Sequence, residues 1–331
     1  MSDSDRFLYG AQELKDSVKT LVSDGKLHHA YLLEGGEGTG KKSFAKYTAY
    51  LLCGGEKAER NIVKRISEWA CPDVRLITRE EGKKNISINT VRDMIDDTPL
   101  TPTELDFKMY VYDHAECLSP QAQNALLKVI EEPPANVYIF LLCENSSQLL
   151  QTIRSRVQKL TMPLFSRNET KIFLHERFSI EELGSGREDI AINLSNGSLG
   201  YGIELLHDEK AHEFYDNANK IISIQAGKNR KNTYFDMLNT VLKASTAREN
   251  LEQLTDYLLL AYRDILNAKS SGRSAGAFFS DEDAEIFAEN ITMETVMDSI
   301  NALKGLKFDA SFNFNYSLAA ASLAIMLWRA A

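Results

Sequence analysis

The sequence has few cysteines, and no two of them lie close together in the chain. The four are Cys53, Cys71, Cys117 and Cys143, and they form no Cys-x-x-Cys motif. A disulfide framework, or a tetrahedral zinc site made of cysteines, needs paired or clustered thiols. The spacing argues against both kinds of site and predicts reduced thiols in a cytoplasm, with no bound zinc.

The sequence also lacks an apolar run as long as a membrane-spanning helix, which needs about 20 residues. The longest candidate, residues 318–328, is short and rich in alanine and serine, which favours a buried helix. The first residues, MSDSDRF, contain acidic side chains and no apolar segment, unlike a signal peptide. We therefore expect a cytoplasmic protein with no membrane partner.

An excess of positive charge is missing as well. The net charge is −9, from 38 basic and 47 acidic residues. Residues 1–162 carry 21 basic against 23 acidic side chains, and residues 163–331 carry 17 against 24. Strong binding to nucleic acid requires a basic face that neutralises phosphates, so we expect no strong autonomous DNA binding. A weak contact by the N-terminal half within a larger complex stays open.

What the sequence does have is a glycine-rich turn between an apolar run and a helix start. Residues 30–33 are Ala-Tyr-Leu-Leu, and residues 35–41 fit the pattern Gly-x-x-x-x-Gly-Lys. In such a P-loop, backbone N–H groups and a helix N-terminus cradle a polyphosphate. The residues expected to form the loop are Gly35, Gly38, Gly40 and Lys41.

The next position departs from the motif. It normally holds serine or threonine, whose hydroxyl ligates Mg²⁺, but here it holds Lys42. An ammonium has no lone pair for a metal, and Ser43 lies roughly 100° further round the helix. Two interpretations follow: a phosphate loop kept as a structural turn, or residual binding of ATP, ADP or phosphate without turnover.

A second candidate position ends the strand-like run at residues 109–112. Asp113 matches the Walker B aspartate, which lies near the Mg²⁺ ion, although an acid that caps a turn is an equal alternative. An active ATPase of this type needs a carboxylate next, to polarise water, and His114 occupies that place. The sequence therefore predicts a degenerate nucleotide site.

The order of predicted elements indicates the domain organisation. Short apolar runs alternate with helix-like segments over residues 1–162, which predicts a parallel sheet wrapped by helices. Residues 163–206 are typical of a small helical unit, and residues 207–331 have a helical pattern throughout. We predict an α/β P-loop domain followed by two helical domains with these boundaries.

Four segments match one protein family in chain order. They are residues 27–33 with the P-loop, 86–92, 124–134 and 153–157. The most specific are the string Asn-Ala-Leu-Leu-Lys…Glu-Glu-Pro-Pro and the triplet Ser-Arg-Val. Together they resemble the bacterial clamp-loader branch of the AAA+ family. The resemblance covers residues 1–162 well, residues 163–206 fairly, and the last third mainly in its helical character.

This resemblance implies a fold and a set of roles. It implies an AAA+-like α/β domain, a small helical lid domain and an all-α collar domain for oligomerisation. Arg156 in the Ser-Arg-Val triplet would be an arginine finger that reaches a neighbouring subunit's ATP, the alternative being a plain surface arginine. Gly200 stands where ATP-hydrolysing relatives carry a sensor arginine. Relatives often insert a four-cysteine zinc module that this chain lacks.

The implied function is that of a non-hydrolysing, stator-like subunit of a clamp loader in DNA replication. Its implied partners are gamma/tau-type ATPase subunits and a delta-type subunit, with the sliding clamp and primer–template DNA reached through the complex. The chain would be a component of a DNA-directed DNA polymerase (nucleotidyltransferase) holoenzyme without intrinsic ATPase activity. The alternatives are a self-sufficient P-loop ATPase of the gamma/tau motor type and a small-molecule phosphotransferase. The helical C-terminal third argues against the phosphotransferase.

Overall fold

The computed structural model describes residues 7–79, 82–83, 85–184, 186–227, 233–272, 276–309 and 315–330. The chain divides into two units, Met1–Leu164 and Phe165–Ala331. The division lies close to the predicted end of the α/β domain at residue 162. A further division of the second unit into lid and collar at residue 206 stays a prediction.

The first unit is built on a parallel sheet of five strands. The strands are β1 (Ala30–Glu34), β2 (Val74–Ile77), β3 (Lys108–Tyr112), β4 (Val137–Cys143) and β5 (Gln158–Thr161). Their order is β2-β3-β4-β1-β5, and every pairing is parallel. The helices are α1 (Gln12–Ser23), α2 (Lys41–Leu52), α3 (Arg60–Ser67), α4 (Ile88–Asp97), α5 (Pro120–Glu131) and α6 (Gln151–Arg154). This confirms the predicted α/β class with a parallel sheet.

The central strands β1, β3 and β4 are buried on both faces of the sheet, which explains why they are nearly continuous apolar runs rather than alternating ones. Leu32 of β1 belongs to the core on one face, with Leu126 of α5, and Leu33 belongs to the core on the other face, with Phe44 of α2. All four side chains have at most 1% exposure. Each such burial contributes about 1.5–3 kcal/mol, so helices on both faces hold the strands in place.

The second unit is helical over the residues described. Its helices are α7 (Arg167–Arg177), α8 (Ile180–Leu183), α9 (Arg187–Leu194), α10 (Leu199–His207), α11 (Glu209–Ala226), α12 (Thr233–Ala244), α13 (Arg248–Ser271), α14 (Asp281–Asn290), α15 (Met293–Asp309) and α16 (Tyr316–Ala330). This agrees with the loss of strand signal after Pro163. None of the helices described is both long and apolar enough to cross a bilayer.

A buried carboxylate organises the interior of the second unit. Asp264 of α13 has no exposed surface, and its Oδ2 accepts the N–H groups of Ala277, Phe278 and Phe279 at 2.9, 2.7 and 2.9 Å. The carbonyl of Phe278 accepts in turn from the Asn193 side chain at 2.9 Å. Backbone groups that no helix can satisfy are thus bonded internally, as burial requires.

The turn before α10 provides a test of backbone geometry in the second unit. Gly197 has φ +81°, and a Cβ there would lie 2.2 Å from the carbonyl oxygen of Phe165; Gly186 has φ +77° with nothing within 4 Å. Both Ala substitutions incur the left-handed penalty, but only Gly197→Ala adds a clash. We expect losses of about 3 and about 1 kcal/mol respectively in the free energy of unfolding. Denaturant unfolding measures both, and equal losses would contradict the clash.

Candidate functional site

The glycine-rich loop leaves the sheet at its carboxyl edge. β1 lies between β4 and β5, where the strand order reverses, and open parallel sheets bind ligands at such a point. Asp113 directly follows β3 and therefore lies at the same edge. The topology thus brings the loop and Asp113 together, although 72 residues separate Lys41 from Asp113 in the sequence.

Backbone geometry requires glycine in this loop. Gly38 and Gly40 are left-handed, with φ +70° and +90°. A Cβ on Gly35 would lie 2.7 Å from the Thr39 hydroxyl oxygen, and that hydroxyl donates to the Gly36 carbonyl at 2.8 Å. The turn is therefore tight enough to bring backbone N–H groups to the start of α2, as a phosphate cradle requires.

Lys41 folds back onto the loop that precedes it. Its Nζ donates to the carbonyl oxygens of Gly35 at 2.5 Å and Gly36 at 2.7 Å. Burial lowers the pKa of the Lys41 ammonium, while the nearby carboxylates of Glu144 and Glu116 oppose that shift. A phosphate entering the loop would compete with two carbonyls for this ammonium.

Lys42 forms an ion pair with Asp113, the residue predicted to be the Walker B aspartate. Its Nζ lies 2.7 Å from Asp113 Oδ2, with the Lys42 side chain half exposed and the Asp113 side chain buried. The Asp113 N–H donates to the Ile77 carbonyl at 2.9 Å, which fixes the backbone there. The carboxylate that would stand near Mg²⁺ in an active site is therefore already paired with a cation of the chain itself.

His114, the residue after Asp113, is not arranged as a catalytic base would be. His114 has a left-handed backbone, with φ +52°, and its Nδ1 lies 3.2 Å from Glu116 Oε1. The other oxygen of Glu116, Oε2, is buried without a hydrogen-bond partner in the described part of the chain. The imidazole is thus engaged with a neighbouring carboxylate, and neither group is the acid directly after Asp113 that water activation needs.

A third charged pair supports the base of the loop. The Glu34 carboxylate, at the end of β1, pairs with the Lys159 ammonium and accepts the Ser146 N–H at 2.7 Å. The hydrogen bond from Lys159, followed by that from Ser146, lowers the pKa of Glu34 to about 2. β1, β5 and the segment after β4 are therefore joined directly beneath the loop.

Arg156 lies at the opposite edge of the sheet. It precedes β5, just as Glu131 precedes β4, so both are at the amino ends of parallel strands. Arg156 Nε lies 2.5 Å from Glu131 Oε1, and both side chains are nearly half exposed. A five-residue strand spans about 16 Å, so Arg156 is far from the P-loop of its own chain.

Three further predictions concern Gly200, a bound metal ion, and the cysteines Cys53 and Cys71. Gly200 is the second residue of α10, in the second unit. Within the described ranges, no group of three or more His, Cys, Asp or Glu side chains could hold a metal ion. Cys53 and Cys71 are free thiols, and burial raises the pKa of Cys53 to about 12. The absence of zinc stays a prediction.

Sequence reasoning missed the partners of these residues. It singled out Lys42 and Asp113 but not their contact, and it gave no role to Glu34 or to Glu131. The only local signal was an acid at the last position of α5, where the helix dipole favours cations. Lys159 and Glu34 are 125 residues apart, and no spacing rule connects them.

Replacing Lys42 by threonine restores a hydroxyl at the motif position and leaves Asp113 without its cation. We expect the free energy of unfolding to fall by about 1–3 kcal/mol, since a buried carboxylate loses its partner. Mg²⁺ with ATP should then stabilise the variant more than the wild type in thermal unfolding. Lys42→Arg keeps the cation and is the control. A Lys42→Thr protein as stable as the wild type would contradict the role of the ion pair.

Glu34→Gln tests the charged pair beneath the loop through its pH dependence. A carboxyl whose pKa is lowered from 4.5 to about 2 on folding stabilises the fold above pH 4.5 and loses that contribution as pH falls through 2. Between these values the wild type should lose more stability than the variant, by on the order of 1 kcal/mol after solvent screening. Thermal melts across this range measure the difference. Glu13→Gln, a substitution at an exposed position on α1, is the control and should show the wild-type dependence of stability on pH. The same dependence in the wild type, Glu34→Gln and Glu13→Gln would refute the stabilising role of the Glu34 carboxylate.

The first unit matches a protein-family model. Residues 10–166 match the family described as DNA polymerase III, delta subunit. The delta-prime subunit of DNA polymerase III from Bacillus subtilis is 29% identical over 255 residues, which is 74% of this chain and 74% of that protein. The delta-prime subunit from Yersinia pestis is 36% identical over 140 residues, which is 40% of this chain and 41% of that protein.

Gamma subunits of DNA polymerase III are also similar to this chain. The gamma subunit from Buchnera aphidicola (Schizaphis graminum strain) is 27% identical over 213 residues, covering 60% of this chain. The match spans 56% of the length of that gamma subunit. A gamma subunit-related protein from Thermotoga maritima, of known crystal structure, aligns with a TM-score of 0.47 and 17% identity over 96% of this chain and 100% of its own.

The residues matched by the family model, 10–166, include the glycine-rich loop, Asp113 and the Ser-Arg-Val triplet. Through its N-terminal unit, the chain is thus similar to the DNA polymerase III delta and delta-prime subunits, which supports a member of the delta-prime clamp-loader family.

Proposed function

We propose that this chain is a non-hydrolysing, stator-like subunit of a DNA polymerase III clamp loader. In this role it would support ATP-dependent loading of the sliding clamp and supply Arg156 to the ATP site of a neighbouring subunit. The proposal has two parts, a silent nucleotide site in this chain and an arginine that acts in trans, and different residues support each part.

The Lys42–Asp113 ion pair carries the first part. Hydrolysis by a P-loop enzyme needs Mg²⁺ held by a hydroxyl and by the Walker B aspartate. Here the hydroxyl is replaced by an ammonium that lies 2.7 Å from that aspartate. A divalent cation entering the site would meet a positive charge instead of a ligand. With Lys41 bound to loop carbonyls, this supports a loop that serves as a scaffold.

The position of Arg156 supports the second part. The arginine lies at the amino edge of the sheet, while the P-loop lies at the carboxyl edge, so Arg156 cannot serve the loop of its own chain. It is nearly half exposed and follows a buried anchor, Ile153. A guanidinium so placed is available to stabilise charge on a phosphate held by another subunit.

The partners in this proposal are gamma/tau-type ATPase subunits and a delta-type subunit. Relatives of this chain are named as gamma, tau and delta-prime subunits, which supports an assembly of related chains. In the second unit, α12 and α16 pack together through Tyr234 and Trp328, whose ring centroids are 5.3 Å apart. Phe235 and Leu318 on the same helices are 67% and 71% exposed, as expected for a collar that associates with other subunits. The clamp and primer–template DNA would be reached through the complex.

A motor ATPase of the gamma/tau type is the second candidate. It is favoured by the gamma and tau relatives and by the intact glycines and Lys41 of the loop. Under this alternative the purified chain would turn over ATP by itself and lose that activity in Lys41→Ala. The stator proposal expects no appreciable turnover by the chain alone.

Arg156→Ala tests the trans-acting arginine in the assembled complex. The full chain is combined with gamma-type and delta-type subunits, and ATP turnover is measured with clamp and primer–template DNA. We expect turnover at the neighbouring site to fall about tenfold or more, because an arginine finger stabilises the charge of the transferring phosphate.

Arg154→Ala is the matched control. Arg154 is an exposed basic residue two positions earlier on α6, and its loss should leave turnover unchanged. Equal effects of the two substitutions would indicate a general charge effect and refute the finger. Failure of the chain to associate with any gamma-type subunit would refute the clamp-loader role itself.

A further inference from the structure

The main chain that carries Arg156 is fixed by the core of the first unit. The Arg156 N–H donates to the carbonyl of Ile153 at 2.9 Å, and Ile153 is fully buried. The start of α6 is tied to α5, because the side chain of Gln123 accepts the Leu150 N–H at 2.8 Å. The base of the arginine side chain therefore has a defined position before any partner binds.

Three contacts orient the guanidinium itself. Its Nε lies 2.5 Å from Glu131 Oε1, and its Nη1 donates to the Thr152 carbonyl at 3.1 Å and the Ser155 hydroxyl at 3.3 Å. Within the described residues nothing bonds Nη2, and the side chain is 42% exposed. The chain thus contacts Nε and Nη1, and Nη2 remains available to the oxygens of a phosphate.

The backbone that carries Glu131 is held in place by its neighbours. It is the last residue of α5, a position where the helix dipole favours a cation and disfavours an acid. The preceding residue, Ile130, is buried, and its carbonyl lies 2.7 Å from Nε2 of His29 at the entry to β1. The carboxylate is thus held at a place that does not benefit its own helix, which indicates a role outside the helix.

We propose that Glu131 is a positioning residue for Arg156. By holding Nε, it fixes the guanidinium so that Nη2 can bond the γ-phosphate of a nucleotide bound by the neighbouring subunit. This inference rests on the proposed trans-acting role of Arg156. An arginine side chain loses much rotamer freedom when it is fixed, and a preoriented one has lost it before the transition state forms.

The small contribution of the Arg156–Glu131 ion pair to folding stability allows a positioning role to be distinguished from a structural one. Both side chains are nearly half exposed, and exposed pairs contribute little to the stability of a free chain. Removing the carboxylate should therefore leave the chain folded and leave thermal unfolding unchanged. Its effect should show in the turnover number of the neighbouring site, since the arginine is needed most in the transition state.

The test uses the full chain assembled with gamma-type and delta-type subunits, clamp and primer–template DNA. We expect Glu131→Gln to lower kcat for ATP about tenfold with KM unchanged, because the arginine is still present but no longer held. Glu131→Asp keeps the charge and should recover part of the loss. Glu132→Gln, a change in the adjacent exposed acid, is the control and should match the wild type.

A double variant distinguishes the positioning role of Glu131 from the trans-acting role of Arg156 on which it rests. In an Arg156→Ala background, Glu131→Gln should have no further effect, because the carboxylate acts through the arginine. A full additional loss there, or unchanged or raised turnover in Glu131→Gln alone, would overturn the positioning role. If Arg156→Ala itself leaves turnover unchanged, the trans-acting role fails and the inference fails with it. If Arg156→Ala is impaired and Glu131→Gln is not, only the positioning role fails.

Discussion

Burial of a parallel sheet on both faces is the constraint on which the rest of the first unit depends. A slip of one residue in register would move every strand side chain to the other face, so pairs such as Leu33 with Leu142 are strongly specified. Since all strands run in one direction, the segments that follow them meet at one edge and the segments that precede them meet at the other. The glycine-rich loop and Asp113 lie at the first edge. Arg156 and Glu131 lie at the second.

At the carboxyl edge the chain neutralises its own charges. Lys41 bonds the loop carbonyls, Lys42 pairs with Asp113, and Lys159 pairs with Glu34. A working P-loop needs cations that are free for phosphate and a carboxylate that is free for Mg²⁺. Here both kinds of group are satisfied internally. Under the proposed function, this arrangement would let the turn retain its glycines as a structural feature without hydrolysing a nucleotide.

The amino edge has the opposite character. Arg156 is anchored through its backbone and through Nε, yet part of its guanidinium is left without a partner in the described chain. α5 connects the two edges: it begins at the Ser119 cap shortly after Asp113 and ends at Glu131. A single helix thus joins the edge that carries the glycine-rich loop to the segment proposed to act on another subunit. This would be a physical basis for the proposed stator, in which one element holds a reactive group in place for its neighbour.

Local pattern was sufficient for the α/β class, the helical second unit and the glycine-rich turn, because each depends on periodicity or on backbone freedom within a few residues. The Ser119-Pro120 start of α5 is another example, since the hydroxyl caps a helix only three residues away. Pattern also located Lys42, Asp113 and Arg156. It gave none of their partners, because ion pairs such as Lys42–Asp113 and Arg156–Glu131 join segments that become neighbours only when the sheet assembles. Strand order and register, set by burial over the whole unit, decided those contacts.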